Sequence, residues 1–380
     1  MKNDIKYIGF YDVPDSKCDR ICGLAAANKM NYVCDVLNRI GYNVNIISPS
    51  WMGRNSEVKF EKGKTVEIHS GLKVTFCPSW MTHNKVTGSI KILFSLVWLL
   101  YYLLVNANKD EKILAYHTPW ISLPIRLAKL IKRFKLVLEI EEIYSDVWNS
   151  FKMFRKTEMK LINAADAYIL VSDVLKSRLN LNNKNSIVLY GSYIPVRKQM
   201  NRDSENINLV YAGSVDTTKA GAFNAVKAMQ YLPDYYKLYI IGDGSKENLS
   251  KLESLIKEVN AACKREACVY NGILHGEEYS DYLLKCDIAL NPQHVGDYMV
   301  TAFPSKVLSY LSHNLRVVST EIESIKKSSV SEYIVYAKSD NPRDFAEAIL
   351  SVNLNTSYSC VSVIEKLDSE FLNSIKSILC

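Results

Sequence analysis

The feature that most constrains the fold of this chain is a repeated alternation of short apolar segments with longer segments of helical periodicity. Residues 6–11 are mostly apolar, residues 25–40 carry apolar side chains at three- and four-residue spacing, and residues 44–48 are apolar again. A strand, a helix and a second strand in this order form a βαβ unit with parallel strands. Because the alternation continues along the chain, the sequence predicts an α/β protein with doubly wound parallel sheets.

The alternation is interrupted once, at residues 191–208, which contain Pro195 and several charges but no sustained periodicity. We therefore predict a first Rossmann-like domain at residues 1–195 and a second at residues 196–362. Residues 363–380 are predicted to form a C-terminal helix that can cross back to the first domain. A length of 380 residues suits two domains.

Charge is distributed unevenly between the two halves. Residues 1–190 carry 27 Lys and Arg against 17 Asp and Glu, whereas residues 191–380 carry 20 against 23. A basic half suits an anionic lipid surface or a nucleic acid. No cluster of aromatic and basic residues supports nucleic-acid binding, so we predict none. The nine cysteines lack zinc spacing, and the N-terminal segment lacks the apolar core of a signal sequence, which together predict a cytoplasmic protein.

Two segments raise the question of membrane contact. Residues 92–105 are apolar except for Ser95, but a span needs about 20 residues, so we predict a core helix rather than an interfacial or spanning one. Residues 125–135 alternate apolar and basic side chains. A basic amphipathic helix of this kind can lie on anionic lipid, although an ordinary surface helix has the same pattern. We predict peripheral contact with the inner face of the cell membrane.

Small residues follow two predicted strands of the second half, where doubly wound sheets bind ligands. The first loop contains a glycine, a serine and a lysine, and the second an acid between two glycines: Gly213, Ser214, Lys219, Gly242, Asp243 and Gly244. Glycines let backbone N–H groups approach a phosphate, and the following helix adds its positive end. The spacing matches neither the dinucleotide fingerprint nor the P-loop, so simple turns remain an alternative.

A third candidate anion site lies at Pro304, Ser305 and Lys306, at the start of a predicted helix. Proline suits the first turn of a helix. A lysine in that turn opposes the helix dipole unless an anion is present. This misfit favours a diphosphate ligand over an exposed lysine.

Candidate acid–base residues follow two predicted strands of the first half. His117 ends one strand, and Glu141, Glu142 and Asp146 follow the next. Any of them can bind a sugar hydroxyl or deprotonate an acceptor. A structural histidine and an acidic loop paired with Arg155 explain the same residues, so both interpretations stay open.

The order of these motifs resembles glycosyltransferase family 4 and its relatives of the GT-B fold. The second half carries the resemblance in five segments, namely residues 209–214 with Lys219, 242–244, 270–273, 286–290 and 303–306. The first half agrees more loosely, and Gly23 stands where the family has a glycine-containing loop. The family's pair of glutamates eight positions apart corresponds here to Thr301 and Ser309. With these departures, the sequence resembles a divergent branch of the family, such as the furanosyltransferase-like proteins of surface-polysaccharide pathways.

The resemblance implies two Rossmann-like domains that face each other across a cleft. It implies a hexosyltransferase-type enzyme that moves sugar from a nucleoside diphosphate sugar, here a UDP-sugar, to a glycan or lipid-linked acceptor. The product would belong to a capsule, exopolysaccharide or O-antigen. The nucleotide sugar is a co-substrate, so no cofactor is expected, and the lack of an Asp-x-Asp pair predicts a metal-independent site.

The resemblance also assigns roles to residues. Donor-binding residues are those of the two glycine loops, residues 304–306 and Gly23. Catalytic candidates are His117, Glu141, Glu142 and Asp146, and the acceptor docks close to them. Two other functions fit the same pattern: a sugar-nucleotide epimerase of the same fold, or a non-catalytic scaffold in a polysaccharide assembly complex.

Overall fold

The structure, a computed structural model, describes residues 3–13, 16–147, 149–181, 184–198, 205–294, 296 and 301–379. Contacts divide the chain into two compact units. Unit 1 comprises Met1–Val171, Leu175–Ser192 and Glu370–Cys380, and unit 2 comprises Ser172–Val174 and Tyr193–Ser369. Residues 199–204 of the predicted linker lie outside the described residues.

Unit 1 is built on an eight-stranded sheet. Its strands in chain order are β1 Asn3–Ile8, β2 Tyr42–Ser48, β4 Lys64–His69, β5 Leu72–Phe76, β7 Lys112–Tyr116, β8 Lys135–Ile140, β9 Ala167–Leu170 and β10 Asn185–Val188. They lie in the order β10-β9-β8-β7-β1-β2-β5-β4, and all neighbours pair parallel except β4 with β5. The short strands β3 Phe60–Glu61 and β6 Ser79–Trp80 form a separate antiparallel pair.

Among the described residues, the α-helices of the first half of the chain are α1 Leu24–Arg39, α2 Lys85–Asn106, α3 Ser122–Lys132, α4 Tyr144–Val147, α5 Arg155–Ala164 and α6 Asp173–Arg178. Strand β8 lacks the alternation of apolar and polar residues that marks a half-exposed strand, because all of its residues after Lys135 are buried. Parallel strands with both faces covered are apolar throughout. The order of the sheet reverses between β1 and β7, so the ends of these two strands form the switch point of unit 1.

Unit 2 has a six-stranded, all-parallel sheet in the order β13-β12-β11-β14-β15-β16. The strands are β11 Ile207–Ala212, β12 Tyr236–Ile241, β13 Cys268–Tyr270, β14 Ile288–Asn291, β15 Arg316–Thr320 and β16 Ile334–Ala337. This is the Rossmann strand order, whose switch point lies between β11 and β14. The predicted α/β architecture is therefore confirmed in both units.

The helices of the second half are α7 Gly221–Ala228, α8 Lys246–Cys263, α9 Gly276–Leu284, α10 Lys306–Ser312, α11 Glu323–Lys326, α12 Pro342–Leu350 and α13 Val361–Leu379. The buried core of unit 2 joins its central strands to α7, α8 and α12 through residues such as Leu238, Val226 and Phe345. Because the core fixes these strands, it also fixes the loops at their carboxyl ends.

One segment was correctly predicted to be a helix but wrongly predicted to be buried in the core. Residues 92–105 were expected to be a core helix, but α2 extends over 22 residues and exposes one apolar face. Leu93 is 63% exposed and Tyr101 is 66% exposed. Hydrophobicity predicted the helix correctly, but no helix or strand among the described residues covers this face.

Candidate functional site

The glycine loops after β11 and β12 pack backbone against backbone. Gly213 donates to the carbonyl of Ile241 at 2.9 Å, and Val215 donates to that of Asp243 at 2.7 Å. A Cβ atom on Gly242, whose φ is +148°, would lie 1.9 Å from the carbonyl oxygen of Gly213. Only glycine fits such a contact, so the two predicted loops form a single structural unit.

Lys306 approaches this pair of loops from α10. Part of its side chain is exposed, but Nζ is buried and has no hydrogen-bond partner among the described residues. Nζ lies 3.9 Å from the centre of the Tyr211 ring, and a Cβ atom on Gly213 would lie 2.6 Å from it. Burial, reinforced by the positive charge of Lys219, lowers the pKa of Lys306 to about 7, while Asp216 opposes the shift. A buried ammonium without a partner is costly, which marks this position for an anion.

Tyr310 anchors α10 to the sheet and thereby places Lys306. The backbone N–H of Ala212 donates to the Tyr310 hydroxyl at 2.8 Å, and this hydroxyl lies 3.2 Å from the carbonyl oxygen of Ala212. Lys306 is one helical turn before Tyr310, so the anchor holds its side chain over the end of β11. This role of Tyr310 was not predicted from the sequence.

Asp216, which sequence reasoning missed, organises the first loop. Its carboxylate accepts from the Ser214 hydroxyl at 2.9 Å and from the Lys219 backbone N–H at 2.7 Å. An acid two residues after a strand-end serine is the local pattern that predicts such a turn. Ser214 and Asp243 are both exposed, and Asp243 contributes its carbonyl to the loop pairing.

The residues before α10 differ in detail from the prediction. The helix begins at Lys306, so Pro304 precedes it rather than occupying its first turn. Pro304 is buried and accepts a turn bond from the Val307 N–H at 3.0 Å, whereas Ser305 is exposed and its side chain makes no capping bond. The turn bond starts the chain reversal one residue before the helix, which accounts for the shift.

The two positions that depart from the glutamate pair have other contacts. Thr301 is buried, and its carbonyl accepts from the Ser172 hydroxyl at 2.7 Å. The Ser309 hydroxyl lies 3.1 Å from that of Tyr279 on α9. Ser309 follows Lys306 by three residues, so this hydroxyl pair stands beside the loop site on α10.

Unit 1 contains a buried cluster of opposite charges. Lys29 of α1 contacts Glu141, lies 3.8 Å from Glu139 and donates to the carbonyl of Leu189 at 2.7 Å. The hydroxyl of Tyr7 bonds to Glu139. Burial raises the pKa of Glu139 to about 7 against the opposing charge of Lys29, and burial also raises that of Glu141. The lysine is therefore satisfied inside the protein.

Lys29 and Tyr7 were missed by sequence reasoning, although Lys29 had a signal. It lies three residues after Ala26 and four before Val33, on the apolar face of α1. A lysine on a core-facing stripe needs a buried counter-charge. The carboxylates after β8 were the candidates for that role.

His117 is buried rather than exposed at the end of β7. Tyr144 and Glu158 cover it, and its Nε2 lies 3.6 Å from a Glu158 oxygen. Glu158 accepts the backbone N–H groups of Tyr144 and Ser145 at 2.7 and 3.1 Å. Burial lowers the pKa of His117 to about 4, with an opposing contribution from the backbone of Glu142. A neutral, covered imidazole with this pKa is a weak base at neutral pH.

The other first-half candidates are more accessible. Glu142 and Asp146 are partly exposed, and Asp146 forms ion pairs with Arg155 and Arg178. The alternative of an acidic loop paired with Arg155 is thus confirmed for Asp146. Gly23 precedes α1 with a φ of −88°, and an alanine would meet no atom closer than 3.7 Å there. Within the described ranges, no group of three His, Cys, Asp or Glu side chains is placed to hold a metal ion.

Comparison with known proteins supports the interpretation of unit 2. Residues 206–354 match the family model described as "Glycosyl transferases group 1". This segment includes both glycine loops and α10, so it contains the whole loop site. Residues 206–354 therefore resemble a glycosyltransferase group 1 domain. No curated protein sequence matches the chain significantly.

Several solved structures share the fold over almost the whole chain. An E. coli trehalose-6-phosphate structure bound with UDP-2-fluoro glucose is similar with a TM-score of 0.70 at 11% identity, covering 99% of both chains. Sucrose-phosphate synthase from Thermosynechococcus elongatus has a TM-score of 0.63 at 12% identity, covering 99% of this chain and 95% of that one. Anabaena HepE in complex with UDP and glucose has a TM-score of 0.64 at 11% identity, covering 99% and 100%. These likenesses establish the GT-B fold.

Proposed function

We propose that this protein is a glycosyltransferase that uses a UDP-sugar and binds the diphosphate at the glycine loops of unit 2. The observation that carries the proposal is the buried Lys306 Nζ, which has no hydrogen-bond partner among the described residues and lies against Gly213. A diphosphate supplies the counter-charge that this ammonium lacks. UDP is favoured because two structures of the same fold contain UDP or a UDP-sugar.

In the proposed mechanism, unit 2 stabilises the leaving diphosphate. Bond cleavage at the anomeric carbon leaves negative charge on the phosphate oxygens. Lys306 and Lys219 neutralise that charge. We propose that these groups act without a resident metal ion, which the EDTA arm of the experiment below tests.

We propose that the acceptor docks on unit 1 at the ends of β1, β7 and β8. Glu142 and Asp146 are partly exposed there, and Glu141 is held by Lys29. An inverting reaction needs a base for the acceptor hydroxyl, and these carboxylates are better placed than the buried His117. A retaining reaction needs no base on that face, so the stereochemistry decides which of them acts.

The biological role that we propose is surface-polysaccharide assembly on a glycan or lipid-linked acceptor. The resemblance to family 4 branches of such pathways supports it, as does the basic first half of the chain. The same basic half supports a cytoplasmic protein peripheral to the inner face of the cell membrane.

The experiment is a thermal-shift screen of purified protein with UDP, GDP, CMP and ADP, each with and without EDTA. We expect a UDP-selective rise in Tm that survives EDTA and is lost in Lys306→Ala. A rise of several degrees corresponds to ligand at about 100 times its Kd. Lys227→Ala is a matched control in unit 2, since this lysine of α7 is exposed and lies outside the glycine loops and α10.

The outcomes separate the alternatives. A shift that EDTA abolishes would overturn metal independence but not the donor site. If no nucleotide changes the Tm, the donor-site assignment is rejected and a non-catalytic scaffold is favoured. Conversion of a UDP-sugar to its epimer without transfer to any acceptor would favour the epimerase.

A further inference from the structure

Helix α2 exposes an uninterrupted apolar face. Seven large apolar residues on it are between 39% and 71% exposed: Val86, Ile90, Leu93, Phe94, Val97, Tyr101 and Val105. They recur at three- and four-residue spacing, so they lie on one side of the helix. Single exposed apolar residues are common on monomers, but a stripe along five turns is not.

The opposite face of α2 is firmly docked. Lys91, Ser95, Leu99 and Leu103 are buried at four-residue intervals. Lys91 Nζ donates to the carbonyl of Met52 at 2.6 Å, and the Ser95 hydroxyl donates to that of Pro49. The exposure of the first face is therefore a property of a packed helix.

Helix α3 packs beside α2 and repeats the pattern with added charge. Four apolar residues on α3 are between 40% and 77% exposed: Leu123, Leu127, Leu130 and Ile131. Basic residues lie on and just after the same helix: Arg126, Lys129, Lys132, Arg133 and Lys135. Lys85 and Lys109 flank the apolar length of α2. Cations at the border of an apolar surface suit anionic headgroups above acyl chains.

We infer that the exposed faces of α2 and α3 form one surface that inserts into the interface of an anionic bilayer, with α2 lying in the membrane plane. The inference rests on the proposed function for its biological meaning and deepens its membrane contact, which the sequence had assigned to residues 125–135 alone. A second copy of the chain is a poorer occupant, because the basic borders of two such surfaces would repel.

Lying in the plane is favoured over crossing the bilayer. By length and composition α2 would suffice for a span, with 22 residues and a mean hydropathy of 1.9 over its best window. A span would have to break the contacts of Lys91 and Ser95 and move the Lys91 charge into hydrocarbon, which is costly. A helix lying in the interface keeps them and buries only its exposed stripe.

The test is flotation of the full-length protein with vesicles of phosphatidylcholine alone or with 30% phosphatidylglycerol, on the order of typical anionic content. We expect binding to the anionic vesicles, weakened at least tenfold in the Leu93→Asp/Val97→Asp variant. Leu93→Ser/Val97→Ser, a milder change, should weaken binding in the same direction. The matched control is Ile273→Asp/Leu350→Asp in unit 2, at residues 47% and 45% exposed, which should bind as wild type.

Charge and location are tested separately. Arg126→Gln/Lys132→Gln should weaken binding roughly fivefold per charge and reduce its salt dependence. Hydrogen exchange should slow at residues 85–106 when anionic vesicles are added.

Three results would overturn the inference: no vesicle binding by the wild type, unchanged binding by both α2 variants, or a lipid-free dimer that protects α2. The UDP thermal shift is measured on every variant. If the wild-type protein binds vesicles but shows no thermal shift with UDP, the proposed function is rejected and the membrane surface is still supported.

Discussion

Each unit of this protein has a lysine with a buried Nζ, and the two lysines differ in the groups that surround the Nζ atom. Lys29 of unit 1 is 5% exposed and contacts two carboxylates and a backbone carbonyl. Lys306 of unit 2 faces an aromatic ring and a glycine loop, and its Nζ has no hydrogen-bond partner in the described part of the chain. Removing the partner of a buried charge destabilises a fold, whereas a buried charge without a partner is typical of sites where a ligand supplies the counter-charge.

The carboxylates of the two units follow the same division. In unit 1, Glu139 and Glu141 lie around Lys29 and Glu158 lies beside His117, whereas Asp216 of unit 2 shapes a loop by accepting backbone and hydroxyl hydrogens. Unit 1 thus uses charge to hold its own strand ends together. Unit 2 shapes its loops with backbone hydrogen bonds, and within its described residues the Nζ of Lys306 has no hydrogen-bond partner.

The largest expected effect is on the paired lysine. Lys29→Met leaves Glu139 and Glu141 buried without their counter-charge, so the free energy of unfolding should fall by about 3–5 kcal/mol. Urea denaturation at pH 7 measures it. The double change Lys29→Met/Glu141→Gln should recover part of the loss, and a Lys29→Met protein as stable as wild type would show that the cluster is not a structural ion pair.

The next effect concerns the packed glycines of unit 2. Gly242→Ala places a Cβ atom 1.9 Å from a backbone oxygen at a φ of +148°, so we expect a loss of about 3 kcal/mol or more together with loss of UDP binding. Gly272→Ala has a φ of +69° and open space around it, and should cost only about 1 kcal/mol. Equal urea midpoints for the two variants would contradict the backbone contact.

The unpaired lysine should respond in the opposite sense to the paired one. Lys306→Met replaces a buried, unpartnered amine by an apolar side chain, so the free energy of unfolding should rise by about 1 kcal/mol. Affinity for UDP should fall by about 10- to 100-fold, because a charged hydrogen bond is worth roughly 1.5–3 kcal/mol. Urea denaturation and calorimetric titration measure the two quantities, and a destabilised variant would mean that Lys306 has a partner in the folded protein.

The smallest effect is a pH dependence. The pKa of Lys306 is about 7 in the fold and 10.5 as its ordinary value, so the unfolded chain binds more protons between these pH values. The free energy of unfolding should therefore rise with pH between these two values, by at most about 1.4 kcal/mol per pH unit, which is the effect of one proton. UDP affinity should fall over the same range by no more than about tenfold per pH unit, since the diphosphate needs the cation. In Lys306→Met both slopes should flatten, and unchanged slopes would assign them to other groups.

Much of the fold could be predicted because strand and helix periodicity is local. Hydrophobic runs separated by helical patterns gave both sheets, and Gly213, Gly242 and Lys306 were identified from their places after strands or before a helix. The antiparallel strand β4 was not predicted, since its polar, exposed residues lack an apolar run. Tyr310 was not predicted either, because a tyrosine in an apolar helix does not reveal which backbone group its hydroxyl bonds.

The sequence by itself determined most of the order of strands and helices and the residue types at their ends, because these depend on neighbours a few positions away. Only the tertiary structure decided which groups are satisfied. Glu141, the partner of Lys29, follows β8 and is 112 residues away along the chain. The glycine loop that contacts Lys306 follows β11, whereas Lys306 itself belongs to α10. The apolar length of α2 was legible in the sequence, but whether other residues cover its second face depends on packing. Pairing and coverage depend on residues that folding brings together, which is why Lys29 of unit 1 is paired with carboxylates while the Nζ of Lys306 has no hydrogen-bond partner among the described residues of unit 2.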